Sequence, residues 1–274
     1  VNIESTVESI KKAVEEAELM AAVQINSVYT GIAGSHISGE NLKGVVALKK
    51  QEVTRDDISR AVESARTLAV IPHERRILHV LPREFMVDDQ EGVREPLGMS
   101  GNRLEVNVHV ITGAVTSAQN IIKSVNRAGL DVVDIILHPL ASSEAVLSAE
   151  ERELGVAMVD LGGGTTDLAI FLDGSIRHTA VLPIGGQNLT KDLAIGLLTS
   201  QTDAEKIKVQ HGIARTELVH GHQMVEVPSV GDRPPRQFTR RDIAEILEPR
   251  VEEMFDLVKR EIVRAGYEGM LGAG

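Results

Sequence analysis

The feature that most constrains the fold of this chain is a glycine-rich segment, DLGGGTTD at residues 160–167, set between two apolar runs. The runs at about 156–161 and 168–172 have the length and apolar character that predict buried strands. The chain therefore turns from strand into strand at the glycines. A dinucleotide-binding motif turns instead from strand into helix. A Walker loop requires a lysine after its last glycine, and none follows here.

The residues of this turn suit a polyphosphate with its metal ion. Three consecutive glycines remove every Cβ, so backbone N–H groups can approach an anion closely. Thr165 and Thr166 add hydroxyl donors, and Asp160 and Asp167 supply the carboxylates that Mg²⁺ prefers beside phosphate oxygens. The segment predicts a hairpin phosphate loop for a nucleotide with Mg²⁺. The alternative is a glycine-rich turn that binds no ligand.

Length and composition narrow the class of protein further. The chain has 274 residues, of which 42% are hydrophobic, enough for one large domain or two lobes. No apolar run reaches the length of a membrane span. Because cysteine is absent, disulfides and thiolate chemistry are excluded, which fits a reducing cytoplasm. The net charge of −11 argues against a general nucleic-acid binder.

Hydrophobic periodicity predicts an alternation of helices and strands, hence an α/β fold. Helices are predicted at about 5–22 with Ser5 in a capping box, from Thr54, and at about 115–127, 140–149, 187–198, 203–211 and 239–265, the last kinked or restarted at Pro249. Strands are predicted at about 27–32, 76–81, 84–87, 103–112, 131–137, 156–161, 168–172 and 175–182, with two more near 213–228. The strand–helix–strand order over 103–137 predicts a parallel βαβ unit.

Several segments beside the loop carry a family resemblance. The loop resembles the second phosphate motif of the actin, Hsp70 and sugar-kinase superfamily. Within that superfamily, the long segments are similar to the FtsA family of bacterial cell-division proteins, and the likeness extends over essentially the whole chain. These segments are LMA at 19–21, SVY at 27–29, GSHIS at 34–38, ERELG at 151–155, IRHT at 176–179, DAEKIKVQHG at 203–212 and VPSVGDRPPR at 227–236.

The resemblance implies an actin-like (ribonuclease H-like), two-lobed ATPase fold with an inserted 1C subdomain. The implied subdomains are 1A at 1–34 and 113–153, the SHS2-like 1C insertion at 35–112, 2A with the phosphate-2 loop at 154–186, 2B at 187–252, and a return to 2A at 253–274. The resemblance also implies that the first phosphate motif, a second adenosine-side glycine motif and a C-terminal membrane helix lie outside this chain. We therefore expect this chain alone to bind ATP poorly.

The resemblance further implies which residues contact ATP and Mg²⁺. The phosphate-2 positions are Asp160, Gly162, Gly163, Gly164, Thr165 and Asp167, and Asp160 and Asp167 would hold Mg²⁺ through water. Paired glycines at Gly185 and Gly186 would approach the nucleotide, and Glu205 and Lys208 the adenosine. From spacing alone, the last two are equally an ordinary helix-surface ion pair. Glu144 would order the attacking water, with a plain surface glutamate as the alternative, so ATPase activity is expected to be weak at most.

The resemblance implies partners as well. They are the chain itself in a filament, later division proteins bound through 1C, and the acidic C-terminal tail of FtsZ. Within the basic cluster of Arg233, Arg236, Arg240, Arg241 and Arg250, the resemblance makes Arg236 and Arg250 the candidates for the FtsZ tail, and a solvated helix entry is the alternative. The implied location is the cytoplasmic face of the cell membrane at the division site, reached through the amphipathic helix. A small-molecule kinase or an Hsp70-like ATPase remains the alternative function.

Overall fold

The computed structural model describes residues 2–231 and 233–273. Its α-helices are, in chain order, α1 (Ile3–Ala21), α2 (Arg55–Leu68), α3 (Val115–Arg127), α4 (His138–Val146), α5 (Ala149–Leu154), α6 (Gly186–Gly196), α7 (Gln201–His211) and α8 (Arg240–Arg264). Its strands are β1 (Ser27–Ile32), β2 (Ser38–Ala47), β3 (Arg75–Val87), β4 (Gln90–Val93), β5 (Arg103–Ala114), β6 (Asp131–Leu137), β7 (Val156–Leu161), β8 (Thr166–Leu172), β9 (Ser175–Leu182), β10 (Met224–Val227) and β11 (Arg236–Thr239). Nothing in this described part of the chain is a helix with both the length and the apolar character needed to cross a bilayer.

The chain divides into two compact units. The first contains Val1–Met158, Leu168–Val181 and Gly269–Gly274, and the second contains Val159–Asp167 and Leu182–Glu268. Each unit has its own apolar cluster of buried side chains. The glycine loop and the residues predicted around the nucleotide therefore lie in the second unit, apart from Glu144, which lies in the first.

An antiparallel sheet with one helix across it forms the inserted part of the first unit. The strand order is β2-β5-β3-β4, and α2 packs against the sheet. The alternating residues Leu104, Val106, Val108 and Val110 of β5 are buried, which confirms the face predicted from the sequence. A Cβ at Gly44 would lie 2.0 Å from the Ala61 carbonyl oxygen, so glycine is what lets β2 approach α2.

The start of α2 follows the chemistry of its sequence. The Thr54 side chain accepts the Asp57 amide N–H, and the Asp57 carboxylate accepts the Thr54 amide N–H in return. Hydrogen bonds from Thr54 hold the pKa of Asp57 below its usual value. This reciprocal cap satisfies donors that a helix start leaves open. The helix predicted from Thr54 is confirmed.

The predicted βαβ unit over 103–137 is wrong. The helix α3 does connect β5 to β6, but β5 pairs antiparallel with β2 and β3. Strand β6 pairs in parallel with β1, from Ser27 opposite Asp131 to Ile32 opposite Leu137. The local sequence pattern of a strand is the same for a parallel and an antiparallel partner. The pairing of these strands is therefore determined by contacts between residues that are distant in sequence.

Three local predictions in the first unit also differ from the structure, and a strand was missed. Asn2, rather than Ser5, caps α1, because its side chain accepts the first exposed amides. The strands predicted at 76–81 and 84–87 form one strand, β3, whose register shifts next to Pro82. The predicted helix at 140–149 is two helices, since Ser148 and Glu151 form a new capping box at α5. Strand β2, unpredicted, is a polar strand beside β5.

Strands β7, β8 and β9 form a three-stranded sheet in that order. The turn between β8 and β9 is Asp173-Gly174, whose φ angles are +52° and +72°. Positive φ at both positions is the requirement of the tight hairpin turn that Asp-Gly favours. The predicted hairpin is confirmed, as is the strand-to-strand course of the glycine loop.

The second unit combines α6, α7 and α8 with the small antiparallel hairpin of β10 and β11. The two strands predicted near 213–228 are wrong in part. One strand, β10, forms there, and its partner β11 lies beyond residue 235, while Thr216–Leu218 is a short 3₁₀ helix. The last helix does not restart at Pro249, since α8 continues through it for 25 residues.

Candidate functional site

The glycine loop forms a tight turn between β7 and β8. The Gly162 amide donates to the Thr165 carbonyl oxygen at 2.9 Å, which closes the turn. The buried Thr166 hydroxyl donates to the Ile184 carbonyl oxygen at 2.8 Å. This bond ties the base of the loop to the segment that leads into α6.

The first turn of α6 lies against the carbonyl side of the loop. The amides of Gly186 and Gln187 donate to the carbonyl oxygens of Gly162 and Gly163, at 2.9 and 2.8 Å. A Cβ at Gly185 would come within 2.6 Å of the Gly162 oxygen, so only glycine permits this approach. The loop and the start of α6 are thus one hydrogen-bonded assembly.

The amide side of the loop remains open. Among residues 2–231 and 233–273, the amides of Gly163, Gly164 and Thr165 donate no hydrogen bond. Apart from Gly164 and its two neighbours in the chain, no described residue has an atom within 4 Å of the place where a Gly164 Cβ would stand. Backbone amides that are not used by the protein and carry no bulky side chain can approach an anion closely. The arrangement fits the phosphate groups that the sequence predicts.

Two aspartates flank the loop in sequence. Asp160 is half-buried at the end of β7, and Asp167 is buried at the start of β8. The Thr165 hydroxyl donates to Asp167 Oδ2 at 3.4 Å. In the described ranges no group of three or more His, Cys, Asp or Glu side chains is placed to hold a metal. Two carboxylates suit Mg²⁺, which keeps several waters and takes further oxygens from phosphates.

Glu205 and Lys208 on α7 are partly exposed, and both form polar contacts with α6. The Lys208 ammonium lies 2.8 Å from Glu205 Oε2 and also donates to the Gly186 carbonyl oxygen at 3.1 Å. It donates to the Thr190 hydroxyl at 2.9 Å, and that hydroxyl is hydrogen-bonded to Glu205. These contacts, first that from Lys208, lower the pKa of Glu205. The pair is therefore linked to the glycine loop through Gly186.

Glu144 has a different environment. It lies on α4 of the first unit, where its carboxylate accepts a hydrogen bond from Arg152 at 2.7 Å, and its side chain is 74% exposed. Arg152 in turn donates to the Ser143 carbonyl oxygen and lies over the Phe171 ring. An exposed ion pair of this kind is the surface role that the sequence left as the alternative.

The predicted partner residues Arg236 and Arg250 lie in the second unit. Arg250 is paired with Asp192 at 2.6 Å and with Glu253, and the Asp192 hydrogen bond raises the pKa of Arg250. Arg236 donates to the Leu197 carbonyl oxygen and lies over the Phe238 ring, 5.3 Å from its centre. Within the described part of the chain no carboxylate is paired with Arg236.

A cavity of about 540 Å³ lies beside Arg236. Its walls are formed by Ala194, Leu198, Thr199, Ser229, Val230, Arg233, Pro234 and Arg236. Leu198 and Val230 are more than half exposed. The cavity therefore combines apolar walls with two arginines at the end of α6.

Sequence reasoning missed Thr190 and Gln187. Thr190 is one helical turn after Gly186, so its spacing from the paired glycines was the available signal. Its role depends on the packing of α6 against α7, which the sequence pattern does not specify. Gln187 belongs to the first turn of α6, and its side-chain nitrogen lies 3.9 Å from the place where a Gly163 Cβ would stand.

Comparison with known proteins places this geometry in a family. The model for the SHS2 domain inserted in FTSA matches residues 34–112, and the model for cell division protein FtsA matches residues 157–272. The cell division protein FtsA of Pseudomonas aeruginosa is 52% identical over 274 residues, all of this chain and 66% of that protein. FtsA of Neisseria meningitidis serogroup B is 47% identical with the same coverage. FtsA of Borreliella burgdorferi is 40% identical over 277 residues, covering 67% of its length.

Solved structures agree on the fold. A chain of the PilM–PilN type IV pilus biogenesis complex superposes with a TM-score of 0.61 at 17% identity, over 94% of this chain and 62% of that chain. The ethanolamine utilization protein EutJ from Carboxydothermus hydrogenoformans gives a TM-score of 0.50 at 17% identity, over 96% of this chain and 57% of that chain. At such identity the likeness extends to the fold alone.

The α/β architecture and its inserted domain define an actin-like ATPase fold with an SHS2 insertion. Both family models and relatives up to 52% identical then specify the group within that class. The chain belongs to the FtsA family of cell division proteins. It spans about two thirds of the length of its relatives, 66% in the case of the Pseudomonas aeruginosa protein.

Proposed function

We propose that this chain is part of an ATP-binding, actin-like division protein that polymerises and tethers FtsZ to the cytoplasmic face of the membrane. The observation that carries this proposal is the open amide side of the glycine loop, flanked by Asp160 and Asp167. A polyphosphate is the ligand class that such a loop recognises. Recruitment of later division proteins through the inserted domain belongs to the same proposal.

The residues present fit ATP with Mg²⁺. The amides of Gly163, Gly164 and Thr165 would bind phosphate oxygens, and Asp160 and Asp167 would hold the cation with its waters. When bound, Mg²⁺ neutralises phosphate charge. The amides of Gly186 and Gln187 keep the loop in shape by donating to its carbonyl oxygens, and Gly185 permits this close approach because it has no Cβ. With Glu144 held in a surface ion pair, we expect little or no ATP hydrolysis from the described residues.

The FtsZ tail would dock at the cavity beside Arg236. An acidic, extended tail needs both a cation and apolar contact, and this cavity offers both. Arg236 has no competing carboxylate among residues 2–231 and 233–273, whereas Arg250 is neutralised by Asp192 and Glu253. We therefore expect Arg236 to contribute more to the interaction than Arg250, which would first have to leave its partners.

Co-sedimentation of the full-length protein with FtsZ and lipid vesicles tests the tether. The wild-type protein should carry FtsZ into the vesicle pellet, and Arg236→Glu should weaken binding of an FtsZ tail peptide about ten-fold, the size of a lost charge-assisted hydrogen bond. Arg250→Glu should weaken it less. The matched control is Arg241→Glu, because Arg241 is an exposed α8 arginine whose one ion pair within the described residues is with Glu245.

The tethering proposal fails if wild-type protein leaves FtsZ in the supernatant. The assignment of Arg236 alone fails if Arg236→Glu and Arg241→Glu bind the tail peptide as the wild type does. Phosphorylation of a small-molecule acceptor by the full-length protein, without binding of FtsZ, would instead support the small-molecule kinase alternative. No contact in the described residues favours that alternative or an Hsp70-like ATPase.

A further inference from the structure

A buried hydroxyl lies between the two helices that follow the glycine loop. Thr190 on α6 is only 7% exposed, and its hydroxyl is placed between Lys208 and Glu205 of α7. Its oxygen also lies 3.1 Å from the Gly186 carbonyl oxygen, one helical turn earlier. Thr190 is thus at the centre of a small polar cluster in the second unit.

Lys208 is fully engaged by the protein itself. An ammonium group has three donors and no acceptor. Its three acceptors are Glu205 Oε2 at 2.8 Å, the Thr190 hydroxyl at 2.9 Å and the Gly186 carbonyl oxygen at 3.1 Å. To donate to a nucleotide, Lys208 would have to give up one of these bonds. Its role is therefore to connect α7 to the first turn of α6.

Glu205 is only half engaged. Oxygen Oε2 accepts hydrogen bonds from both Lys208 and Thr190, whereas Oε1 accepts none within the described part of the chain. The side chain is 51% exposed, so a ligand can reach it. An ionised carboxylate is an acceptor only, and it repels phosphate charge. The groups of a nucleotide that it can bind are donors, chiefly the sugar hydroxyls.

The cluster is close to the phosphate loop. Lys208 donates to the Gly186 carbonyl oxygen, and the Gly186 amide donates to Gly162 of the loop at 2.9 Å. Glu205 is therefore connected to the loop through one ammonium group and one glycine. A nucleotide whose phosphates fill the loop would bring its sugar toward this neighbourhood.

We infer that Thr190 is a positioning residue that, with Lys208, fixes the Glu205 carboxylate for the sugar hydroxyls and so selects ribonucleotides over 2′-deoxyribonucleotides. The inference rests on the proposed ATP binding and deepens it. Without the Thr190 hydroxyl, Glu205 keeps one anchor and can rotate. A rotating carboxylate binds sugar hydroxyls less well, because its orientation must then be fixed on binding.

Calorimetric titration of the full-length protein with Mg–ATP and with Mg–2′-deoxy-ATP tests the inference. The wild type should bind ATP about ten-fold more tightly than the deoxy analogue, because the analogue lacks a sugar hydroxyl and so loses a charge-assisted hydrogen bond to Glu205. Thr190→Val should bring that ratio close to one, and Thr190→Ser should restore it. A purely structural role for Thr190 would weaken both ligands equally and leave the ratio unchanged.

Thr199→Val is the matched control. Thr199 is equally buried in the same unit, and its hydroxyl donates to the Pro228 carbonyl oxygen at 2.6 Å, away from the Glu205–Lys208 pair. This variant should keep the wild-type ratio. If Thr190→Val fails to fold, the variant Lys208→Met is used in its stead, because it removes the other donor to Glu205 Oε2.

The outcomes separate two failures. Absence of ATP binding by the wild type overturns the proposed function and the inference together. ATP binding without sugar discrimination, or discrimination that survives both Thr190→Val and Lys208→Met, overturns the inference alone. A ratio that falls in Thr190→Val and returns in Thr190→Ser supports it.

Discussion

At the scale of single residues, His109 shows how burial sets the charge of a side chain. It is 1% exposed on β5, with Nδ1 2.7 Å from Asn41 Oδ1 and Nε2 2.9 Å from the Thr179 hydroxyl. The amide oxygen can only accept, so Nδ1 donates to it and Nε2 accepts from Thr179. Burial, with smaller effects from His178 and Arg83, lowers the pKa of His109 to about 4. The neutral ring thus links the inserted sheet to β9.

This pKa predicts a loss of stability in mild acid. The folded pKa of about 4 lies below the ordinary histidine pKa of 6.5, so the unfolded chain takes up the proton more readily. The contribution is fully present above pH 6.5 and is lost progressively as the pH falls toward 4. Between pH 7 and pH 5 we expect a loss of about 2 kcal/mol in the free energy of unfolding, from the linkage of pKa to stability.

Urea unfolding at pH 7 and pH 5 measures this effect. His109→Gln should remove this part of the pH dependence, because glutamine keeps a donor and an acceptor but does not titrate. His220→Gln is the control, since His220 is exposed and lies outside any helix or strand. An equal acid loss in wild type and His109→Gln would show that His109 is not the titrating group.

At the scale of elements, the contact between the glycine loop and α6 gives a sharp pair of variants. Gly185→Ala would place a Cβ 2.6 Å from the Gly162 carbonyl oxygen, whereas a Cβ at Gly164 would have no described atom within 4 Å apart from those of its chain neighbours. We expect Gly185→Ala to cost about 1–3 kcal/mol of stability, the usual cost of overpacking. It should also weaken Mg–ATP binding, because the loop must move.

Thermal unfolding and ATP titration of the full-length protein check this prediction. Gly164→Ala should melt as the wild type does, since its side chain meets open space. Equal melting temperatures for Gly185→Ala and Gly164→Ala would mean that α6 does not support the loop.

Local chemistry made most elements predictable, whereas pairing did not follow from it. The Asp173-Gly174 hairpin and the Thr54 cap depend on residues within a few positions, and both are present in the structure. The pairing of β6 with β1 joins residues about a hundred positions apart, and the strand–helix–strand pattern pointed to β5 instead. Strand β2 packs Leu42 and Val46 against the core, but the glycine at Gly44 between them interrupts the apolar alternation that identifies a strand.

The candidate site divides in the same way. The glycine loop could be predicted because its ligand chemistry is contained in eight consecutive residues. The role of Thr190 could not be predicted, because its contacts with Glu205 and Lys208 form only when α6 and α7 pack together. Arg250 was predicted as a candidate contact for the FtsZ tail, and its pairing with Asp192 could not be foreseen because the two residues are 58 positions apart.

At the scale of the whole molecule, the chain consists of two units with separate cores. The second unit holds the open amides, both flanking carboxylates and the Glu205–Lys208 pair. The first holds the SHS2 insertion, which matches the family model over residues 34–112. One unit thus contains every residue predicted to contact ATP, apart from Glu144.

A crystal structure of the full-length protein with Mg²⁺ and a non-hydrolysable ATP analogue tests the phosphate-binding proposal most directly. We predict phosphate oxygens within hydrogen-bond distance, about 3 Å, of the amides of Gly163, Gly164 and Thr165. Mg²⁺ should lie beside Asp160 and Asp167. Nucleotide bound elsewhere, with these three amides facing only water, would contradict the proposal.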